Sequence, residues 1–226
     1  MCGAVLCNLV ADLSSPRRDT TRAVMAARLA LAGVVLYAII DTALVFLRPQ
    51  LSILHNAESD YGSSGPWAWL MDLNFLLRCA LSLAAVGAVS VTAAKSRGLQ
   101  AALGLVAVWA LGSGLLAFFP DDPAGTPLHA SGRIHLAIAF IAFLAVLVGT
   151  ILGWMALRIQ PRWRRVAIPM AVLSSGALVP LLLLGRAGFH PQSLGGLYEK
   201  IFLGMELLWL ALVVVCVAQG SGEALE

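Results

Sequence analysis

The run IHLAIAFIAFLAVLVGTILGWMAL, residues 134–157, contains no Asp, Glu, Lys or Arg. A helix needs about 20 apolar residues to cross the hydrocarbon core of a bilayer, and this run is long enough to do so. The whole chain has the same character, because 60% of its 226 residues are hydrophobic and only 12% are charged. About a quarter of the residues of a typical soluble domain are charged. Together with a mean hydropathy of +0.88, this composition predicts an integral membrane protein.

Other runs along the chain resemble this one in length and composition. The six predicted spans are Val24–Leu47, Trp67–Thr92, Leu99–Phe119, Ile134–Leu157, Val166–Leu184 and Tyr198–Ala218. Residues that end helices separate the runs, and the chain has no alternating ten-residue segments of the kind that a membrane barrel needs. The predicted fold class is therefore all-α, a polytopic bundle of six transmembrane helices. The membrane domain covers residues 24–218, between a cytoplasmic segment at 1–23 and a cytoplasmic tail at 219–226.

The orientation follows from the basic residues, since short loops rich in Lys and Arg stay on the cytoplasmic side. Folding the six runs back and forth places ten basic residues on one side, four on the other, and Arg78 within a span. The ten are Arg17, Arg18, Arg22, Arg28, Lys95, Arg97, Arg158, Arg162, Arg164 and Arg165, and the four are Arg48, Arg133, Arg186 and Lys200. Both termini are predicted to be cytoplasmic, in a plasma membrane of bacterial type. Because these charges set the topology, no nucleic-acid partner is predicted.

The first twenty residues do not have the pattern of a signal peptide. Asn8 and Asp12 interrupt the apolar stretch, and the positive charges follow it when they should precede it. Cys2 and Cys7 are then predicted to be reduced cytoplasmic thiols.

Histidines and acids gather in the loops and helix ends of the predicted outer side. They are His55, Glu58, Asp60, Asp121, Asp122, His129, His135, His190 and Glu199. The predicted cytoplasmic loops are short and almost purely basic. Any chemistry is therefore expected at the outer face.

Four charged residues lie inside the predicted spans: Asp41, Asp72, Arg78 and Glu206. Such residues are costly in lipid and normally find partners within the bundle. The helical rise places Asp41 and Glu206 about 12 Å below the outer edge and Arg78 about 18 Å below it. Arg78 can extend towards the outer interface, so we predict that it pairs with Asp41 or Glu206. The charges form either a structural ion pair or a pocket that opens outward, with His135 and the loop acids at its mouth.

A metal site is a further hypothesis for the outer face. Asp121, His129 and His135 carry suitable ligand atoms, and a divalent metal such as zinc would need three or four such groups to converge. The six-residue spacing of the two histidines, however, is not the i, i+4 spacing of a helical metal pair.

Several short segments resemble a known membrane family. They are Ala57-Glu58-Ser59-Asp60-Tyr61-Gly62 with Gly65-Pro66-Trp67-Ala68-Trp69-Leu70-Met71, Phe119-Pro120-Asp121-Asp122 with Gly132-Arg133-Ile134-His135, and Gly196-Leu197-Tyr198-Glu199-Lys200 with Trp209. The chain resembles, over about residues 25–218, the family called domain of unknown function 998, although that family more often has arginine where Lys200 stands. The resemblance implies six spans and a site at Ser59, Asp60, Asp121, His135 and Glu199. It supplies no activity.

The sequence thus leaves the function open between several hypotheses. The first is a membrane protein of unassigned activity that binds a lipid or small molecule at an outward-facing polar site. The alternative is an intramembrane hydrolase or transferase that acts on a lipid, with Asp121, His129 and His135 holding a metal or activating water. A proton-coupled transporter is a third option, but 226 residues without an inverted repeat is sparse for one.

Overall fold

The computed structural model describes residues 16–123, 126–190 and 192–219. The described helices are α1 (Pro16–Leu47), α2 (Ala68–Thr92), α3 (Arg97–Leu116), α4 (Ala130–Leu157), α5 (Ala167–Gly176), α6 (Leu178–Ala187) and α7 (Gly195–Gln219). Short 3₁₀ helices cover Ser59–Gly62 and Pro161–Val166, and no strand occurs in these three ranges. The all-α prediction is confirmed. The predicted cytoplasmic thiols of Cys2 and Cys7 lie outside the described residues.

The six predicted spans are also confirmed. Six helical stretches are long and apolar enough to cross a membrane, namely α1 from Asp19, α2, α3, α4, the continuous stretch Pro161–Ala187, and α7. The fourth span begins at Ala130, one turn before the predicted Ile134. Within this added turn, Gly132 permits the close approach of Asp122, because a Cβ atom at this position would collide with the Asp122 side chain. The earlier start places His135 in the second turn of α4.

The fifth span is interrupted near its middle. Helix α5 ends at Gly176 and α6 begins at Leu178, with Ala177 between them. Pro180 lies two residues into α6, and it has no N–H to donate to the carbonyl of Gly176. The outer half of this span is therefore a separate helix.

The helices pack unequally around the bundle. The closest packing joins α3 to α4 and α1 to α2, while α7 contacts α1, α2, α5 and α6. Helix α4 packs on α5 but makes little contact with α6. Helix α6 therefore diverges from the facing part of α4 and leaves a gap between the two helices.

The connection between α1 and α2 folds into one end of the bundle, which the basic residues predict to be the outer end. Its residues Ala57–Tyr61 are all buried. The Leu197 N–H donates to the carbonyl of Leu54 at 3.1 Å, and the Lys200 ammonium donates to the carbonyl of Asn56 at 2.9 Å. Gly196 allows this close approach, since a Cβ atom there would collide with the Asn56 backbone. The inward fold brings loop side chains to the depth of the spans.

Candidate functional site

Arg78, on α2, is the centre of a buried polar cluster that we call the Arg78 cluster (Tyr37, Glu58, Arg78 and Ser113). Its Nη1 lies 2.9 Å from Glu58 Oε2 and donates to the Tyr37 hydroxyl at 3.0 Å. Its Nε donates to Ser113 Oγ at 3.0 Å, and the Tyr37 hydroxyl itself donates to Glu58. The guanidinium carbon also lies 5.2–5.8 Å from the ring centroids of Tyr37, Phe75 and Trp109. The charge of Arg78 is thus paired and enclosed by aromatic rings.

The prediction that Arg78 pairs with Asp41 or Glu206 is wrong, because its partner is Glu58. Asp41 interacts with the charges of Lys200 and Arg78 without forming an ion pair with either among the described residues. Glu206 is fully buried, and its carboxylate oxygens accept no hydrogen bond from the part of the chain that the structure describes. Thr150 is the polar side chain that lies near this carboxylate.

The four intramembrane charges therefore do not form one cluster. Asp72 is half-buried on α2 and lies apart from the Arg78 cluster. The guanidinium of Arg78 meets the connection between α1 and α2, which folds into the bundle and supplies the carboxylate of Glu58 in place of a span residue.

Glu199 fixes the position of Glu58. It is the fifth residue of α7, and its Oε2 accepts the backbone N–H of Glu58 at 2.7 Å. Glu58 is thus held by α7 through its main chain and by α2 through its side chain. Both glutamates are buried, with exposed fractions of 3% for Glu58 and 6% for Glu199.

A second cluster lies beside the first, and we call it the Asp121 cluster (Ser59, Asp121 and His135). The Ser59 hydroxyl donates to Asp121 Oδ2 at 2.8 Å, and the other oxygen, Oδ1, accepts the N–H of Asp122 at 2.9 Å. His135 Nε2 lies 4.0 Å from Asp121 Oδ2, which is too long for a direct hydrogen bond. The gap is wide enough for a third polar group to contact both atoms.

The ring orientation of His135 is set by the main chain. Its Nδ1 lies 2.7 Å from the carbonyl oxygen of Phe119. A carbonyl can only accept, so Nδ1 carries the hydrogen of this bond. In the neutral imidazole, Nε2 then presents its lone pair towards Asp121. His135 is 3% exposed, and its ring packs edge-on against Phe75.

Both clusters border one cavity of about 670 Å³. The polar side chains of its wall contact one another within and between the two clusters, so they form one polar end. They are Glu58, Ser59, Arg78, Asp121, His135 and Glu199. The remaining wall is apolar and includes Phe140, Phe143, Leu144 and Leu147 on α4 and Leu178, Leu181, Leu182 and Leu184 on α6. Phe140 and Leu182 also face outward from the bundle, with exposed fractions of 65% and 63%. The cavity therefore occupies the gap between α4 and α6 and reaches the surface that faces lipid.

The three candidate metal ligands are not brought together. The side chain of His129 is 73% exposed, and its Nδ1 lies 2.8 Å from Asp122, away from His135. No group of three His, Cys, Asp or Glu side chains within 16–123, 126–190 and 192–219 could hold a metal ion. The structure thus does not assemble the candidate zinc site. Instead, the backbone N–H and the ring of His129 lower the pKa of the Asp122 carboxyl by hydrogen bonding to it.

Asp60 holds the loop and does not line the cavity. Its Oδ2 accepts hydrogen bonds from Asn56 Nδ2 at 2.8 Å and from the Ala57 N–H at 2.9 Å. Burial raises the pKa of the Asp60 carboxyl despite these two bonds, which act in the opposite direction. The other four residues implied by the resemblance, Ser59, Asp121, His135 and Glu199, all border the cavity.

Sequence reasoning did not select Tyr37, Glu58 or Ser113 as site residues. Glu58 lies inside the segment Ala57–Gly62, so the resemblance contained a signal for it. Tyr37 and Ser113 are polar side chains within apolar spans, and this is the property that led to the selection of the four charged residues.

A family model described as Protein of unknown function (DUF998) matches residues 31–216. The chain belongs to that family, which confirms the resemblance seen in its short segments. No curated protein and no solved structure matches the chain. With its six spans, the protein is a multi-pass membrane protein of an uncharacterised family.

Proposed function

We propose that this protein binds a membrane amphiphile in the cavity between α4 and α6, with its head group at the Asp121 cluster. The observation that carries the proposal is the division of the cavity wall into one polar end and a long apolar remainder. A ligand that fits this division has a polar head and a hydrocarbon part. The cavity volume of about 670 Å³ falls within the range of about 300–1,000 Å³ that is usual for ligand sites.

The polar end would supply most of the selectivity. Lipid tails are as apolar as leucine side chains, so a hydrocarbon chain gains little by leaving the bilayer for an apolar cleft. Buried polar groups are different, because they must find hydrogen-bond partners inside the bundle. The Asp121 cluster offers such groups to a head group that enters from the side.

The predicted orientation places this head-group site at the outer leaflet of the plasma membrane. The ten-to-four asymmetry of basic residues supports that placement. A membrane-impermeant thiol reagent should leave Cys2 and Cys7 unlabelled in intact cells and label them after permeabilisation. Labelling of either thiol in intact cells would reverse the orientation and assign the site to the inner leaflet.

A matched pair of substitutions on α4 tests the binding proposal. Ala139 borders the cavity, whereas Ala137 is exposed on the same helix and does not border it. Ala139→Trp should fill the cleft and abolish the amphiphile that co-purifies in native mass spectrometry, whereas Ala137→Trp should retain it. Retention of the amphiphile by both variants, or its absence from the parent protein even after incubation with a lipid extract, would contradict the proposal.

A hydrolase or transferase acting on a lipid is the second candidate. The observation in its favour is a hydroxyl, a carboxylate and an imidazole together at the polar end of the cavity. His135 Nε2 could take a proton from water, and Asp121 could orient that water. Incubation with a lipid extract should then release a head group or fatty acid with the parent protein but not with His135→Gln. Binding without any product would reject the enzyme.

A further inference from the structure

We infer that the head group bound at the Asp121 cluster donates hydrogen bonds and carries no negative charge at the cavity, as an amine or a hydroxyl group does. This inference rests on the proposed amphiphile binding and adds the chemical class of the ligand. It is carried by the balance of acceptors and donors at the polar end.

Acceptors at this end have unused capacity. The Asp121 carboxylate accepts from Ser59 and Asp122, and a carboxylate offers about four lone-pair positions in all. Glu199 borders the cavity and accepts the Glu58 N–H through one oxygen. His135 Nε2 has no partner within hydrogen-bond distance, although the residue is 3% exposed and lines the cavity. In the neutral imidazole, whose Nδ1 carries the hydrogen donated to Phe119, Nε2 is an acceptor that no described residue satisfies.

The protein donors, in contrast, are largely engaged. The Ser59 hydroxyl gives its hydrogen to Asp121. Two of the three guanidinium nitrogens of Arg78 are engaged, since Nε donates to Ser113 and Nη1 donates to Tyr37 and Glu58. Lys200 donates to the Asn56 carbonyl and does not border the cavity.

The charges at this end lead to the same conclusion. Three carboxyl groups border the cavity, at Glu58, Asp121 and Glu199, and Arg78 is the one Lys or Arg side chain among the described lining residues. Arg78 already has Glu58 as its counter-ion. A phosphate or carboxylate head group would therefore meet the Asp121 carboxylate without an unpaired Lys or Arg among the described lining residues, and burying such a charge without a partner is unfavourable.

The spacing within the Asp121 cluster suits a single donor group. His135 Nε2 and Asp121 Oδ2 are 4.0 Å apart. One amine or hydroxyl can lie at about 2.8–3.0 Å from both atoms. A quaternary ammonium group has no N–H, so it could not use this position.

Four single-chain probes with the same tail separate charge from hydrogen bonding. They are dodecylamine, dodecanol, dodecyl phosphate and dodecyltrimethylammonium. Each is added at the same mole fraction to the delipidated full-length protein in a neutral detergent, and displacement of a fluorescent alkylamine is measured. Dodecylamine and dodecanol should displace it at least tenfold more effectively than the phosphate or the trimethylammonium compound. The preference should disappear in Asp121→Asn combined with His135→Gln and persist in His190→Gln, since His190 does not border the cavity.

The outcomes distinguish this inference from the proposal beneath it. Equal displacement by dodecyl phosphate would contradict the inference that the head group carries no negative charge, but amphiphile binding itself would stand. Equal displacement by dodecyltrimethylammonium would contradict the inference that the head group donates hydrogen bonds. A probe preference that survives in the double variant would move the head group away from the Asp121 cluster. If none of the four probes displaces the alkylamine, and Ala139→Trp does not reduce its binding either, amphiphile binding in this cavity is itself rejected.

Discussion

The Arg78 cluster and the Asp121 cluster each contain one of two adjacent loop residues, Glu58 and Ser59, yet they satisfy their polar groups differently. In the first, a guanidinium has a carboxylate, two hydroxyl groups and three aromatic rings around it. In the second, acceptors outnumber donors and an imidazole nitrogen faces a cavity without a hydrogen bond. A closed set of partners is typical of a structural element, whereas unused acceptors at a cavity are typical of a binding site. The Arg78 cluster therefore fits the hypothesis of a structural ion pair, and for the Asp121 cluster we propose the hypothesis of a pocket.

Loss of Arg78 should produce the largest effect on stability. Arg78→Leu leaves the buried carboxylate of Glu58 without its counter-ion, and breaking a buried pair in this way typically costs about 3–5 kcal/mol. Glu58→Gln in the same chain should recover part of that loss in a double-mutant cycle measured by thermal unfolding in detergent. Arg133→Leu is the control, because Arg133 is exposed. Equal stability of the Arg78 and Arg133 variants would show that the Arg78 cluster is not a structural element.

Removal of the Tyr37 hydroxyl should have a smaller effect on the same cluster. In Tyr37→Phe the Arg78 guanidinium and the Glu58 carboxylate each lose one hydrogen bond but remain paired with each other. Hydrogen bonds to charged groups contribute about 1.5–3 kcal/mol. The substitution should therefore lower the free energy of unfolding by an amount in this range. Tyr198→Phe provides a comparison at a tyrosine outside the cluster. A Tyr37 variant as stable as the Tyr198 variant would show that the Tyr37 hydroxyl adds no stability to the Arg78 cluster.

A substitution in the Asp121 cluster should weaken ligand binding and leave the stability almost unchanged. His135→Gln keeps a polar group of similar size that can still donate to the Phe119 carbonyl, so the stability should change by about 1 kcal/mol or less. Binding of the alkylamine probe should weaken at least tenfold, which corresponds to about 1.4 kcal/mol. The distinction between the clusters fails if this variant unfolds as readily as Arg78→Leu, or if it binds the probe like the parent protein.

The smallest expected effect is a pH dependence at Asp60. Burial raises the pKa of this carboxyl above its usual value of 3.8. The folded state then holds the proton more tightly than the unfolded state, so the contribution of Asp60 to stability is greatest at low pH. It declines as the pH rises through the raised folded pKa. Asn at this position can accept the same two hydrogen bonds but does not titrate.

Thermal unfolding of the parent and of Asp60→Asn, from about pH 4 to neutral pH, measures this contribution. The parent should lose more stability than the variant over that interval. Identical slopes would show that the Asp60 carboxyl does not titrate differently in the folded and unfolded states. The ligand-binding behaviour should not change in the variant, because Asp60 does not border the cavity.

The spans could be predicted from the sequence, because a bilayer requires about 20 apolar residues in each and rewards internal backbone hydrogen bonding. The partner of Arg78 could not be predicted from the sequence. Helical rise gives the depth of a residue within a span, but it says nothing about a loop that folds inward. The only local sign of this fold was glycine at position 196, where the Asn56 backbone approaches α7 too closely for a side chain.

Most residues of the candidate site could be predicted from the sequence, but the cavity that they border could not. Four of the five residues that the resemblance implied border one cavity. The cavity itself could not be predicted, because it depends on the divergence of α6 from α4 after the break at Ala177. His129 and His135 were grouped by proximity in sequence. His129, however, precedes the first residue of α4 and faces outward, whereas His135 faces the bundle.

Photo-crosslinking most directly tests the claim that the Asp121 cluster and its cleft form the binding site. An alkylamine with a diazirine in its chain is activated on the full-length protein, and the modified residues are identified by mass spectrometry. We predict modification at 139–147 on α4 and 178–184 on α6, with loss of both in Ala139→Trp but not in Ala137→Trp. The claim would be contradicted if all lipid-facing helices were labelled equally, including Met25 and Leu29 on α1, and if this labelling were the same in Ala139→Trp.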